Sequence, residues 1–209
     1  MPIKNRTKIS ASYKSFIQEI RRLEKFDKLN QINFSKKELT KSQIEILVES
    51  IFSTGFRTYE NFVREIFLLY CLEKQPSKKP KVKSYLKARD FQHTELLIKS
   101  SMPFLDWTSP DAIIERSEVY LENGYPIKLP YTTNLQQLRD YKKIRNHIAH
   151  NSMESELHFS KIVKNYFGVV PLIVPSPGKY LMLSSKKNPG KYILLDFFEL
   201  MKTISIDLT

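Results

Sequence analysis

The sequence predicts a mainly α-helical bundle with a small C-terminal β-hairpin appendage. Three observations lead there. Two long stretches near the N-terminus carry apolar residues at three- and four-residue steps, a third such stretch ends at His150, and the period changes after residue 167. Hydrophobic residues at 41% and aromatics at 12% supply enough apolar surface for a packed core, which excludes a disordered basic tail. A chain of 209 residues suggests a single domain, with about 10–167 as the bundle and about 168–209 as hairpin plus terminal helix.

The first helix is expected from about Ser10 to Leu29, where Tyr13, Phe16, Ile17, Ile20 and Leu23 alternate with Lys, Arg and Glu. Thr40 and Gln43 have the spacing of a capping box, and a long apolar period follows from Ile44 through Phe52, Phe62 and Tyr70. Gly55 inside that period suits close packing against a neighbour better than a break. Between Pro76 and Pro80 and onward to Arg89 lies a basic connector with Lys78, Lys79, Lys81, Lys83 and Lys87, which is expected to be solvated. Shorter helices are expected around Leu96–Ile98 and Ile113–Leu121, set off by Pro103 and Pro110. Thr133 or Asn134 then caps a helix from Leu135 to about His150, and another follows over Glu154–Phe167. Tyr180–Leu183 and Tyr192–Leu195 flank a turn-forming Ser-Ser-Lys-Lys-Asn-Pro-Gly and predict the hairpin, and a last helix follows from Asp196 to about Ile204.

Lys plus Arg number 34 against 22 for Asp plus Glu, so the formal charge is +12 and a polyanionic partner is favoured. Cys71 is the sole cysteine, which excludes an intrachain disulfide framework and a thiolate zinc cluster and suits a reducing cytoplasm. It fits a small buried hydrophobe better than a nucleophile. No apolar run has the length of a signal peptide or a bilayer span, so no membrane role is expected. Phosphate-cradling loops, dinucleotide fingerprints and nucleophile elbows are absent, and His147 with His150 lacks an acidic third ligand at a metal-binding spacing, so no cofactor or metal is expected.

The informative segment is Leu138–Asn151. At about 100° per residue, Leu138, Tyr141, Ile144, Ile148 and Ala149 share one half of the helix surface, and Arg145 falls among them. A guanidinium in such a place needs a carboxylate or an anionic ligand. Asn146 and His150, four apart, share a face, with His147 adjacent and Lys142 and Lys143 one turn before. Arg grips phosphate oxygens with a planar fork and His moves protons near neutrality, so the set suits phosphodiester chemistry. The same residues also fit a structural ion pair at Arg145 with two histidines favoured at a helix C-terminus by its dipole.

Arg145, Asn146 and His150 together resemble the motif of the HEPN superfamily, in particular its RiboL-PSP-HEPN branch: Arg, a polar residue directly after it, and His near a helix end. Phe56–Arg64, with Glu60 and Phe62, is similar to the early long helix of that family. The resemblance implies a homodimeric helical bundle whose two motif helices form a composite cleft. It also implies metal-independent endoribonuclease activity, as in toxin–antitoxin and phage-defence systems. In that scheme the substrate's 2′-hydroxyl attacks and leaves a 2′,3′-cyclic phosphate. His150 is the general acid or base, Arg145 stabilises the phosphorane, Asn146 orients phosphate or histidine, His147 assists, and Glu60 braces Arg145. RNA is the expected partner, held by Lys142 and Lys143 and by Lys81 and Lys83 of the connector, with an antitoxin protein as a second partner. Two other readings stand beside it: a non-catalytic RNA-binding or partner-binding module, and a purely structural interaction protein.

Overall fold

The two N-terminal apolar stretches form two long helices, α1 at Ile9–Ser35 and α2 at Lys41–Cys71. The structure is a computed structural model that describes residues 8–209 except 77–78, 101 and 103–104. Lys78 of the connector, Pro103 and the basic N-terminal residues 1–7 therefore lie outside the described residues. The Thr40 cap forms as its spacing predicts: Thr40 N–H donates to Gln43 Oε1 at 2.8 Å, and Gln43 N–H donates to Thr40 Oγ1 at 3.3 Å. Helices α3 (Phe91–Lys99), α4 (Pro110–Tyr120), α5 (Lys128–Thr133), α6 (Leu135–His150), α7 (Met153–Phe167), α8 (Pro177–Leu181) and α9 (Ile193–Leu208) follow. The architecture is mainly helical, and among the described residues no helix is long and apolar enough to cross a membrane.

The chain forms two compact units, neither of them continuous in sequence. Unit 1 comprises the described residues up to Gln18, Thr58–Leu138 and Lys202–Thr209, and unit 2 comprises Glu19–Arg57 and Arg139–Met201.

Unit 1 is built on the C-terminal half of α2, where Ile66 to Cys71 are buried without interruption. A helix apolar on all sides must be enclosed. Phe16 stacks on Phe62 at 4.5 Å, and Trp107 meets Phe67 edge-on at 5.3 Å. Burial in this setting pushes the Cys71 thiol up to about 12, so it packs as an inert hydrophobe. The basic connector is less free than its composition suggests. Val82 is buried, and Gln75 pins it from both sides, accepting from Val82 N–H (2.7 Å) and donating to its carbonyl (2.9 Å). Lys79 Nζ donates to the carbonyls of Ile206 and Asp207, each at 2.7 Å, satisfying groups that the end of α9 leaves open. Pro130 sits within α5 at its first turn, where no helical N–H is required of it.

Unit 2 packs the N-terminal half of α2 against α9 through Phe52, Phe56 and Phe197, with Phe52 and Phe197 at 4.7 Å. A Cβ at Gly55 would lie 2.8 Å from Phe198 Cε1 and 3.2 Å from Phe197 Cε1. The close approach predicted for this glycine is real. Tyr141 of α6 joins the same aromatic group, 5.1 Å from Phe197.

The C-terminal β-hairpin is not formed. Tyr180 and Leu181 lie in α8, which Ser176 caps by accepting from Lys179 N–H at 3.1 Å and which has Pro177 in its first turn. Ile193 to Leu195 form the first turn of α9. Ile193, Leu194, Phe197, Phe198, Met201 and Ile204 are all buried, and their helical spacing continues without a break from residue 193, so this period overrides the short apolar run. The chain reversal remains, reduced to an isolated antiparallel bridge between Ser184 and Tyr192. Ser185 N–H donates to Lys191 O at 2.8 Å and Ile193 N–H donates to Leu183 O at 3.0 Å.

Candidate functional site

Helix α6 carries the motif over the predicted limits, Leu135–His150. Asn134 does not cap it through its side chain. Its Nδ2 turns back to donate to Pro130 O at 2.9 Å, while its carbonyl accepts the first α6 bond from Leu138 N–H at 3.0 Å. Leu138, Tyr141 and Ile144 are buried, but Ile148 is half-buried and Ala149 exposed. The apolar face thus gives out at the last turn. Arg145, expected to be buried, is half-buried for that reason. Its Nη1 donates to Asn146 Oδ1 at 3.3 Å, so the asparagine steadies the guanidinium and keeps its own amide N–H groups for another acceptor.

The two histidines differ. His147 is half-buried, its ring stacked on Phe159 of α7 at 4.9 Å and 20°. His147 Nδ1 lies 3.2 Å from Ser155 Oγ. Ser155 is the third helical residue of α7 and half of its capping box. Its hydroxyl accepts from Ser152 N–H at 2.9 Å and donates to Ser152 O at 2.8 Å. A hydroxyl has one proton to give. With that proton directed to the closer Ser152 carbonyl, the remaining lone pair of Ser155 faces His147, which places the hydrogen on Nδ1 and leaves Nε2 as the basic nitrogen. Glu49 of α2 lies within electrostatic reach. Burial raises its carboxyl above the usual range, with neighbouring Glu45 adding to the rise and the Gly178 N–H it accepts at 2.8 Å and the nearby His147 opposing it only in part. Gly178 is required there, since a Cβ would sit 2.3 Å from Glu45 O.

His150 ends the helix and is exposed. Asn151, in the left-handed region at φ 43°, donates its N–H to His147 O at 2.9 Å and closes the turn beyond it. Among the described residues no hydrogen bond holds the His150 ring.

The remaining predicted positions fall in both units. Lys143 pairs with Asp140 at 3.2 Å, and Lys142 is half-buried on the same helix. Glu60 is half-buried on α2 within unit 1, whereas Arg145, Asn146, His147 and His150 belong to unit 2. Lys81 and Lys83 are exposed in the connector of unit 1, Lys83 paired with Glu122 at 3.3 Å. Sequence reasoning missed Ser155 and Phe159 as the holders of His147. The available signal was the Ser152-x-x-Ser155 spacing just after the motif. Among the described residues no group of three His, Cys, Asp or Glu is placed to hold a metal ion.

Fold and site define a mainly helical protein that presents Arg, Asn and two His at the open end of one helix. No protein-family model matches the chain, and no curated protein or solved structure is significantly similar to it.

Proposed function

We propose that the chain is a metal-independent endoribonuclease of the HEPN type, acting as a homodimeric toxin or phage-defence effector. The observation that carries this reading is the Asn146-steadied, half-buried guanidinium of Arg145 on the same helix end as two imidazoles. One imidazole accepts the proton of the RNA 2′-hydroxyl as its oxygen attacks phosphorus. Arg145 neutralises the charge on the phosphorane oxygens, and the departing 5′-oxygen takes a proton from the protonated imidazole as the P–O5′ bond breaks. The products are a 2′,3′-cyclic phosphate and a 5′-hydroxyl. DNA lacks the nucleophile and is not cut. His150, exposed, is free to approach substrate, and His147 is held with Nε2 basic.

A second reading is favoured by the freedom of His150: with no bond orienting that ring, α6 serves as a binding module that retains RNA intact. The experiment is incubation of end-labelled RNA with the purified protein in EDTA. Cleavage to cyclic-phosphate ends is expected. Arg145→Ala and His150→Ala are each expected to lower the rate by about 10²–10⁴-fold without changing the melting temperature. RNA bound but uncut establishes the binding module, and cleavage that requires added metal overturns the mechanism.

A further inference from the structure

Between α7 and α8 the chain exposes aliphatic side chains that no neighbour covers. Val169, Val170, Leu172 and Ile173 are 66%, 60%, 106% and 85% exposed, and Phe167 at the end of α7 is 45% exposed. Single exposed apolar residues are ordinary, but a continuous group of this kind marks a contact surface. Along the chain the charge of this segment is one-sided, although in space Glu45 and Glu49 of α2 accept from Ser176 and Gly178 at its α8 end, Lys191 pairs with Glu199 and Lys186 donates to Tyr166 O. From Leu157 to Leu195 the sequence contains six lysines and neither Asp nor Glu. Lys161 and Lys164 on α7, Lys179 on α8 and Lys187 beyond it are exposed. The backbone of residues 169–174 makes no hydrogen bond among the described residues.

We propose that this loop is the docking surface for an acidic polypeptide that carries aliphatic or aromatic anchors. Leu172 and Ile173 provide the apolar contact, the lysines select acidic side chains around it, and the partner's main chain can satisfy the open N–H and C=O groups. A second copy of this chain would set lysines against lysines. RNA would neutralise the lysines but has little reason to cover Leu172 and Ile173. The hydrocarbon of a bilayer offers the open backbone no hydrogen-bond partner. The surface is independent of the ribonuclease reading and stands whether or not RNA is cleaved.

The test pans a phage-displayed random dodecapeptide library against the full chain and measures selected peptides by fluorescence anisotropy. Selected peptides are expected to carry Asp or Glu beside Leu, Ile, Val or Phe. They are expected to bind the double variants Leu172→Asp/Ile173→Asp and Lys161→Glu/Lys164→Glu about tenfold or more weakly than the parent. All substituted side chains are exposed, so an unchanged melting temperature confirms intact folding. Absence of selection, neutral or basic peptides, or equal binding to the variants overturns the proposal. So does a loss, caused by the same substitutions, of binding to phosphatidylglycerol vesicles, of binding to poly(U), or of self-association.

Discussion

Unit 2 contains two buried polar groups of opposite character. Around Ser155 at the start of α7, every partner is local: Ser152 supplies a donor and an acceptor, and His147 takes the remaining lone pair. Around Asp27 of α1, only Gln31 is local. Gln31 Nε2 donates to Asp27 Oδ1 at 3.3 Å, Tyr192 O–H reaches Asp27 Oδ2 from far along the chain, and the buried amide nitrogen of Asn30 has no partner among the described residues. Burial pushes the Asp27 carboxyl up to about 6. The first group holds an imidazole in one state, while the second makes the fold sensitive to protonation, because an ionised carboxylate in an apolar place costs more than a neutral one.

The largest expected difference is in pH dependence. Asp27 is 1% exposed and binds its proton more tightly folded than unfolded, where its usual value is 3.8. Its contribution to stability is therefore full below about pH 4 and is lost as pH rises through about 6, for a total of about 2–3 kcal/mol. Asp27→Asn removes that dependence. Urea unfolding between pH 4 and pH 7.5 is expected to show the variant gaining on the parent as pH rises. A gap independent of pH breaks the comparison.

A smaller change is expected at the satisfied group. Ser155→Ala loses a cap and a hydrogen bond, about 1–2 kcal/mol. Nitrogen NMR of His147 is expected to show hydrogen on Nδ1 in the parent and a shift toward Nε2–H in the variant. A parent ring already in the Nε2–H form contradicts the assignment of the Ser155 proton.

The smallest effect on stability belongs to the unheld imidazole. His150→Ala is expected to leave stability within about 0.5 kcal/mol, whereas His147→Ala forfeits the Phe159 stack and the Ser155 bond and lowers it by about 1–2 kcal/mol. Equal losses in the two variants would mean that His150 is also packed.

Much of this was legible in the sequence, and the gaps have physical causes. The period and the Thr40 and Gln43 pair located α2, and α6 ended where its spacing placed it. The helical wheel put Arg145 in the core because it treats every turn alike; it contains no information on where the packing neighbours of α6 stop. The runs at Tyr180 and Tyr192 were too short to separate strand from helix, and the deciding evidence lay further along, in the burial of Phe197, Phe198 and Met201. At the site, the Arg-Asn-His spacing was plain. The partners that orient His147 lie on a different helix, reached only after a turn.

At Gly55 the helix accepts its poorest non-proline former, a local sacrifice of about 1 kcal/mol relative to alanine, so that two rings of α9 can lie against its backbone. The position thereby inverts the ordinary rule for engineering helices. Filling it, elsewhere a routine route to greater thermal resistance, would here wedge the seam apart, which makes this notch a handle for adjusting how much folded protein persists.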